Sequence, residues 1–213
     1  MQTVKVIPVF TFAELDDGAK EKARDWWRDG MDYVDDDPAI DWLAEVCDAL
    51  FIDLSAKKVY WQVSCSQGDG SSFCGRVCAL KLLAAIESNT LANIAPALDL
   101  PTAPTVHRRV RELLESGEAS ILATCGASPS YGGTFSLRTD SDIRCDGLDD
   151  RRHPRISASL AAISEWAESV LDTINDWFFA TLQDDCDYQA SNECVDGNIL
   201  ANGYEFTAEG KVV

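Results

Sequence analysis

At 213 residues and 46% hydrophobic composition, with six Trp, eight Phe and five Tyr, the chain carries enough apolar side chain for a real core, which excludes wholesale disorder. Thirty-six Asp and Glu against eighteen Lys and Arg give a formal net charge of −18. Such a surface repels DNA, RNA and anionic lipid and favours basic protein partners.

Residues 3–9 (TVKVIPV) read as a first strand, at a sheet edge because Pro8 has no N–H for a ladder. Thr11 and Glu14 have capping-box spacing, and behind them Leu15, Ala19, Ala23, Trp26 and Trp27 recur at helical spacing to residue 30. Asp35, Asp36 and Asp37, followed by Pro38, mark a break and a helix start. That helix, near 39–50, has Ile40, Leu43, Val46, Cys47 and Leu50 as its apolar set. Val59 to Cys65 (VYWQVSC) is β-branched and aromatic and predicts a strand, with Ser72 to Val77 returning. Asp69-Gly70 suits a two-residue type I′ turn that would pair 68 with 71, 66 with 73, and Cys65 with Cys74. A longer loop would move every pair.

Residues 79–94 predict a helix, 95–104 a loop with Pro96, Pro101 and Pro104, and 105–116 a helix carrying Val106, Val110, Leu113 and Leu114. Ala119 to Cys125 and Thr134 to Thr139 predict a strand pair, joined by a connection too long for a tight hairpin. From Pro154 to Asp185 the pattern is one long helix with a stripe of Ile163, Trp166, Val170, Ile174, Trp177 and Thr181, widened by Phe178 and Leu182. Ser191 caps a short helix to Ala201, and Gly203 to Val213 closes with a strand-like YEF and a Gly turn. Segregated rather than alternating elements predict an α+β fold, a mainly antiparallel sheet of about four to five strands packed by helices. A single domain is expected, with 1–153 as the α+β core and 154–213 as an acidic helix and tail packed on it.

Three stretches carry a family resemblance: Phe10–Arg28 (FTFAELDDGAKEKARDWWR), Ser66–Phe73 (SQGDGSSF) and Ala201–Lys211 (ANGYEFTAEGK). At the start, middle and end of the chain, in the family's order, they resemble a group of phage and prophage proteins often labelled antitoxin of a toxin–antitoxin stability system. The segment 79–160 shows no such likeness. The resemblance implies a phage-encoded protein that binds and neutralises a host or phage protein, as an antitoxin or an anti-defence inhibitor. It brings no assigned catalytic or binding residue.

The charge of the last third is the leading functional signal. Between Arg155 and Lys211 there is no Lys, Arg or His, while eleven Asp or Glu occur. Glu165, Glu168, Asp172 and Asp176 follow 3- and 4-residue spacing and share one helix face, where like charges repel. They spread over roughly 16 Å, a length on which duplex DNA carries roughly ten phosphates. Mimicry of nucleic acid would therefore need Asp35, Asp36 and Asp37 and the tail carboxylates Asp184, Asp185 and Asp187 on the same surface. A basic protein partner and a plain solvated face are the other two readings.

Other chemistry is thin. Ser66, Gln67, Gly68, Asp69, Gly70 and Ser71 could nest an anion on backbone N–H groups, but they are also ordinary turn formers, and no Gly-Lys-Ser/Thr ending follows. Eight cysteines invite either disulfides or zinc. The opening MQTVKVIPVF reads as no secretion signal, so reduced thiols are expected. Cys65, Cys74 and Cys78 could gather round the hairpin, yet no Cys-x-x-Cys is present, so core filling is the simpler role. His107 and His153 both follow or precede arginines, and no hydrolase, zincin or dinucleotide motif appears. The arginines near them, Arg108, Arg109 and Arg111 with Arg151, Arg152 and Arg155, could neutralise the acidic helix internally. The residues therefore predict a non-catalytic, cytoplasmic protein without cofactor and with no nucleic-acid or membrane contact, and the resemblance implies that the cytoplasm is a phage host's. An enzyme using the Ser66–Ser71 loop and Asp69, or a self-associating assembly protein, is the alternative.

Overall fold

The computed structural model describes residues 8–31, 37–63, 68–129, 135–146 and 153–213. In chain order the elements are β1 (Phe10–Thr11), a 3-10 turn (Phe12–Glu14), α1 (Asp17–Asp29), α2 (Asp37–Ala49), β2 (Asp53–Gln62) and β3 (Gly70–Cys78). There follow α3 (Ala79–Glu87), α4 (Arg108–Ser116), β4 (Ala119–Pro129), β5 (Phe135–Cys145), α5 (Pro154–Ala190), α6 (Asn192–Asn202) and β6 (Glu205–Phe206). The fold is α+β, as the segregated pattern implied. The chain divides into two compact units, one of Asp36–Leu182 and one of Met1–Asp35 with Gln183–Val213. The smaller unit thus joins the two ends of the chain, where the sequence suggested a division at residue 153.

In the larger unit a four-stranded antiparallel sheet runs in the order β2-β3-β4-β5. Alternation along β4 sets its faces: Ala119, Ile121, Ala123 and Cys125 are buried, whereas Ser120 and Leu122 are exposed. The buried face shares one core with Leu43, Val46 and Leu50 of α2, Leu82 and Leu83 of α3, and Val110, Leu113 and Leu114 of α4. Along α5, Ile163, Trp166, Val170, Ile174, Phe178 and Leu182 of the expected stripe are buried in this core, joined by Leu160 and Leu171, while Trp177 and Thr181 are half-buried. Trp166 donates its indole N–H to the Pro101 carbonyl at 2.9 Å, which ties the proline loop to the helix.

Three local expectations are corrected. The β2–β3 hairpin has no two-residue turn, because Gly70 is the first residue of β3 and pairs with Gln62, and Phe73 pairs with Val59 rather than with residue 66. Gly70 is needed for close approach instead: a Cβ there would stand 2.2 Å from the Phe135 carbonyl oxygen of β5. Helix α3 stops at Glu87 rather than running to 94, with Asn89 in the left-handed region at φ 56°. Strands β4 and β5 pair without interruption from Ala119↔Cys145 to Pro129↔Phe135, so the connection is confined to 130–134.

In the smaller unit β1 and β6 pair antiparallel, Phe10 opposite Phe206. Residues 3–7 of the expected first strand lie outside the described residues. The capping box exists, with Thr11 N–H and Oγ1 both 2.8 Å from the Glu14 carboxylate, but it closes the 3-10 turn. Asp16 caps α1 by accepting from the Ala19 N–H at 2.8 Å. Phe12, Leu15, Ala19, Ala23, Val195, Ile199 and Phe206 form a separate core, edged by Trp26, Trp27 and Tyr204. Among the described residues no helix is long and apolar enough to cross a membrane.

Candidate partner-binding site

Helix α5 crosses the sheet so that its acidic row meets the terminal strand. Ser141 of β5 donates its hydroxyl to the Glu168 carboxylate and accepts from Ser164 Oγ at 2.6 Å. One pleat along, Thr139 Oγ1 donates to Asp172 Oδ2 at 3.5 Å. The match is geometric, since one helical turn of about 5.4 Å nearly equals two strand residues at about 3.3 Å each. Asp176 extends the row by one more turn and Glu165 begins it; both are exposed, while Glu168 is half-buried. Burial pushes the Asp172 carboxyl above the usual carboxylate range, and the negative charges of Asp176 and Glu168 add to this against the Thr139 hydroxyl.

In the larger unit the described arginines that form ion pairs are engaged elsewhere. Arg108 and Arg109 pair with Glu112 of their own helix, and Arg111 pairs with Glu87 at 2.5 Å. Arg76 pairs with Asp53 and Arg144 with Asp146. Among the described residues no ion pair reaches Glu165, Glu168, Asp172 or Asp176. Arg151 and Arg152 lie outside the described residues.

The other acidic candidates are placed differently. Asp184, Asp185 and Asp187 are exposed and belong to the smaller unit, where Asp185 accepts from Gln189 at 2.7 Å. Asp35 and Asp36 lie outside the described residues, and Asp37 is the first residue of α2. The candidate site is the row at 165–176 in the larger unit.

The hairpin loop divides in two. Cys65, Ser66 and Gln67 lie outside the described residues, and Gly68 and Asp69 precede the strand. Ser71 is 2% exposed inside β3 and donates to Asn175 Oδ1 at 3.1 Å, a bond between sheet and α5 rather than a ligand contact. A cavity of about 430 Å³ opens further along the strand pair, lined by Asp53, Leu54, Ser55, Cys74, Gly75, Arg76, Thr124 and Cys125. It follows from the irregular β2–β3 register between Leu54 and Val59. Cys74 and Cys78 sit four positions apart on one strand, about 13 Å, too far to share an ion. Among the described residues no three His, Cys, Asp or Glu groups could hold a metal. Cys47 and Cys125 fill the core, and burial pushes both thiols up to about 12.

Sequence reasoning missed two polar roles. His107 is the N-cap of α4, its Nδ1 accepting from the Arg109 N–H at 3.3 Å. Ser141 and Thr139 were unmarked because strand hydroxyls carry no motif; only the two-residue period of β5 against the helical period of the carboxylates could have paired them.

No curated protein and no solved structure matches the chain. A family model described as a domain of unknown function (DUF8835) matches residues 37–192, which takes in the four-stranded sheet and helices α2 to α5. The segments Phe10–Arg28 and Ala201–Lys211 fall outside that match. With well over half its length matched, the chain belongs to the DUF8835 family.

Proposed function

We propose that this chain is a non-catalytic, phage-encoded protein of the host cytoplasm that binds and neutralises a basic protein through Glu165, Glu168, Asp172 and Asp176. Its partner is a toxin or a host defence factor. The observation that carries the reading is the acidic row without an internal cation among the described residues, on a chain of formal charge −18. A guanidinium or ammonium group brought against the row offsets the mutual repulsion of the carboxylates. The resemblance to phage proteins labelled antitoxin supports the same class of activity.

The test is co-purification with a quadruple variant, Glu165→Gln, Glu168→Gln, Asp172→Asn and Asp176→Asn, as control. Wild-type protein is expected to retain one basic protein at about 50 mM salt and to release it near 0.5 M, since such contacts are screened. The variant is expected to retain none. Equal retention by wild type and variant, or no retained protein, overturns the proposal.

A further inference from the structure

A wide bulge interrupts the pairing of β2 with β3. Leu54 pairs with Gly75 and Val59 with Phe73, so Ser55, Ala56, Lys57 and Lys58 all stand opposite Cys74 alone. Extra residues in a strand bend it out of the ladder and re-aim its side chains. Here they open the cavity of about 430 Å³, a volume within the range of small-ligand sites. Its polar wall is one row across the sheet: Asp53 of β2 stands opposite Arg76 of β3, and Arg76 opposite Thr124 of β4. Arg76 directs both Nε and Nη2 at a single carboxylate oxygen, Asp53 Oδ2, at 2.8 and 2.7 Å. Among the described residues no other hydrogen bond or ion pair engages either side chain, so Arg76 Nη1 and Asp53 Oδ1 are unbonded. Ser55 adds an exposed hydroxyl, while Leu54 and Cys74, both half-buried, supply an apolar wall. Lys57 and Lys58 are exposed and do not line the cavity.

We propose that this cavity binds a free α-amino acid with an apolar side chain, its carboxylate on Arg76 and its ammonium on Asp53. The charges along the row select a zwitterion. The row continues into Asp140 of β5, which stands opposite Thr124. A bare anion at Arg76 would therefore meet carboxylates on both sides, and a bare cation at Asp53 would meet the guanidinium; a zwitterion answers both. The two charged groups of an α-amino acid are joined through one carbon, and adjacent strands stand about 4.8 Å apart, so one molecule reaches both partners. Thr124 Oγ1 donates to the Asp140 carbonyl at 3.4 Å, and its oxygen can still accept from the ammonium. Leu54 and Cys74 then meet the ligand's side chain. The site lies on the face of the sheet away from α5, because Thr139, which bonds Asp172, and Asp140 are successive in β5 and point to opposite faces. It goes beyond the binding of a protein partner and does not depend on the acidic row.

The probe is L-leucine, titrated into the full chain and followed by amide NMR, with N-acetyl-leucine and leucine amide as forms that lack one charge each. The Arg76 and Asp53 side chains are 67% and 65% exposed, so water competes and saturation is expected near about 1 mM. Resonances of residues 53–55, 74–76 and 124 are expected to shift. Each blocked form, and each of Arg76→Gln and Asp53→Asn with leucine, is expected to bind at least about ten-fold more weakly, because each removes one charge-assisted contact. The blocked forms test the reading on the unaltered chain, so it is decided even where a variant does not fold. Binding of N-acetyl-leucine as tight as that of leucine overturns the role of Asp53, and equal binding of the amide overturns that of Arg76; either result ends the assignment to a zwitterion. No saturable shift with leucine, or shifts centred on residues 165–176 instead, overturns the site.

Discussion

Arg24 and Asp196, 172 positions apart in the chain, meet in a two-point ion pair, Nε 2.6 Å from Oδ1 and Nη2 2.8 Å from Oδ2. The guanidinium holds the Asp196 carboxyl below its usual range, and the carboxylate raises Arg24 in turn. Arg24→Met or Asp196→Asn is expected to cost about 1–2 kcal/mol of stability in urea unfolding, the range for a partly screened bidentate pair. A carboxyl depressed by folding stabilises above its unfolded pKa, near 3.9, and loses that contribution as pH falls through the folded value. The gap between wild type and Asp196→Asn should therefore stay constant from pH 8 to 5 and close in stronger acid.

Asp172 has the opposite sign. Burial, then Asp176 and Glu168, raises its carboxyl, so the folded protein binds the proton more tightly than the unfolded chain. Stability contributed by the protonated form is present in acid and lost as pH rises through the folded value. Asp172→Asn is expected to raise the urea midpoint at pH 7 and leave it nearly unchanged at pH 3, because the amide oxygen still accepts from Thr139. The same substitution should weaken partner binding, separating stability from function at one position.

Phe51 follows α2 in the left-handed region at φ 56° and is 57% exposed, while the Ile52 N–H donates to the Cys47 carbonyl at 2.8 Å. Glycine is the ordinary residue at this kind of helix end. Phe51→Gly should stabilise by up to about 1 kcal/mol, whereas Phe51→Ala, which keeps the strain, should not. Thermal unfolding of the two variants checks the difference.

Two glycines should respond in opposite directions. Gly70→Ala drives a methyl into the Phe135 backbone, 2.2 Å away, which no rotamer change relieves; a loss above about 2 kcal/mol is expected. Gly197, inside α6 with open space at its Cβ, should gain roughly 0.5–1 kcal/mol on change to Ala. Urea midpoints of both variants decide the matter, and a tolerated Gly70→Ala would mean that the sheet end is looser than its geometry.

What could be read from the residues was what local periodicity governs. The α5 stripe from Ile163 to Leu182 and the Ser191 cap, whose hydroxyl accepts from the Cys194 N–H at 3.3 Å, follow from patterns one or two turns long. The hairpin register did not, because Asp69-Gly70 is a local turn signal overruled by distant contacts. Tyr60 stacks on Phe135 at 5.7 Å, and Gly70 packs on the backbone of that same residue. Strand β5 was cut short for a similar reason, since Asp140 and Asp142 resemble breakers until their exposed side of the sheet is known. The carboxylate row was legible by spacing; its bonding to Ser141 and Thr139 depended on how helix and sheet cross.

The pairing of Phe10 with Phe206 bears on how the protein is made. At about 5–20 residues per second, the ribosome must work for roughly ten seconds or more after Phe12, Leu15 and Ala23 emerge before Val195, Ile199 and Phe206 can cover them. Through that interval the nascent N-terminal segment carries uncovered aromatic side chains, a substrate for trigger-type chaperones. A transcript broken ahead of residue 183 yields a product in which that segment never finds its counterpart.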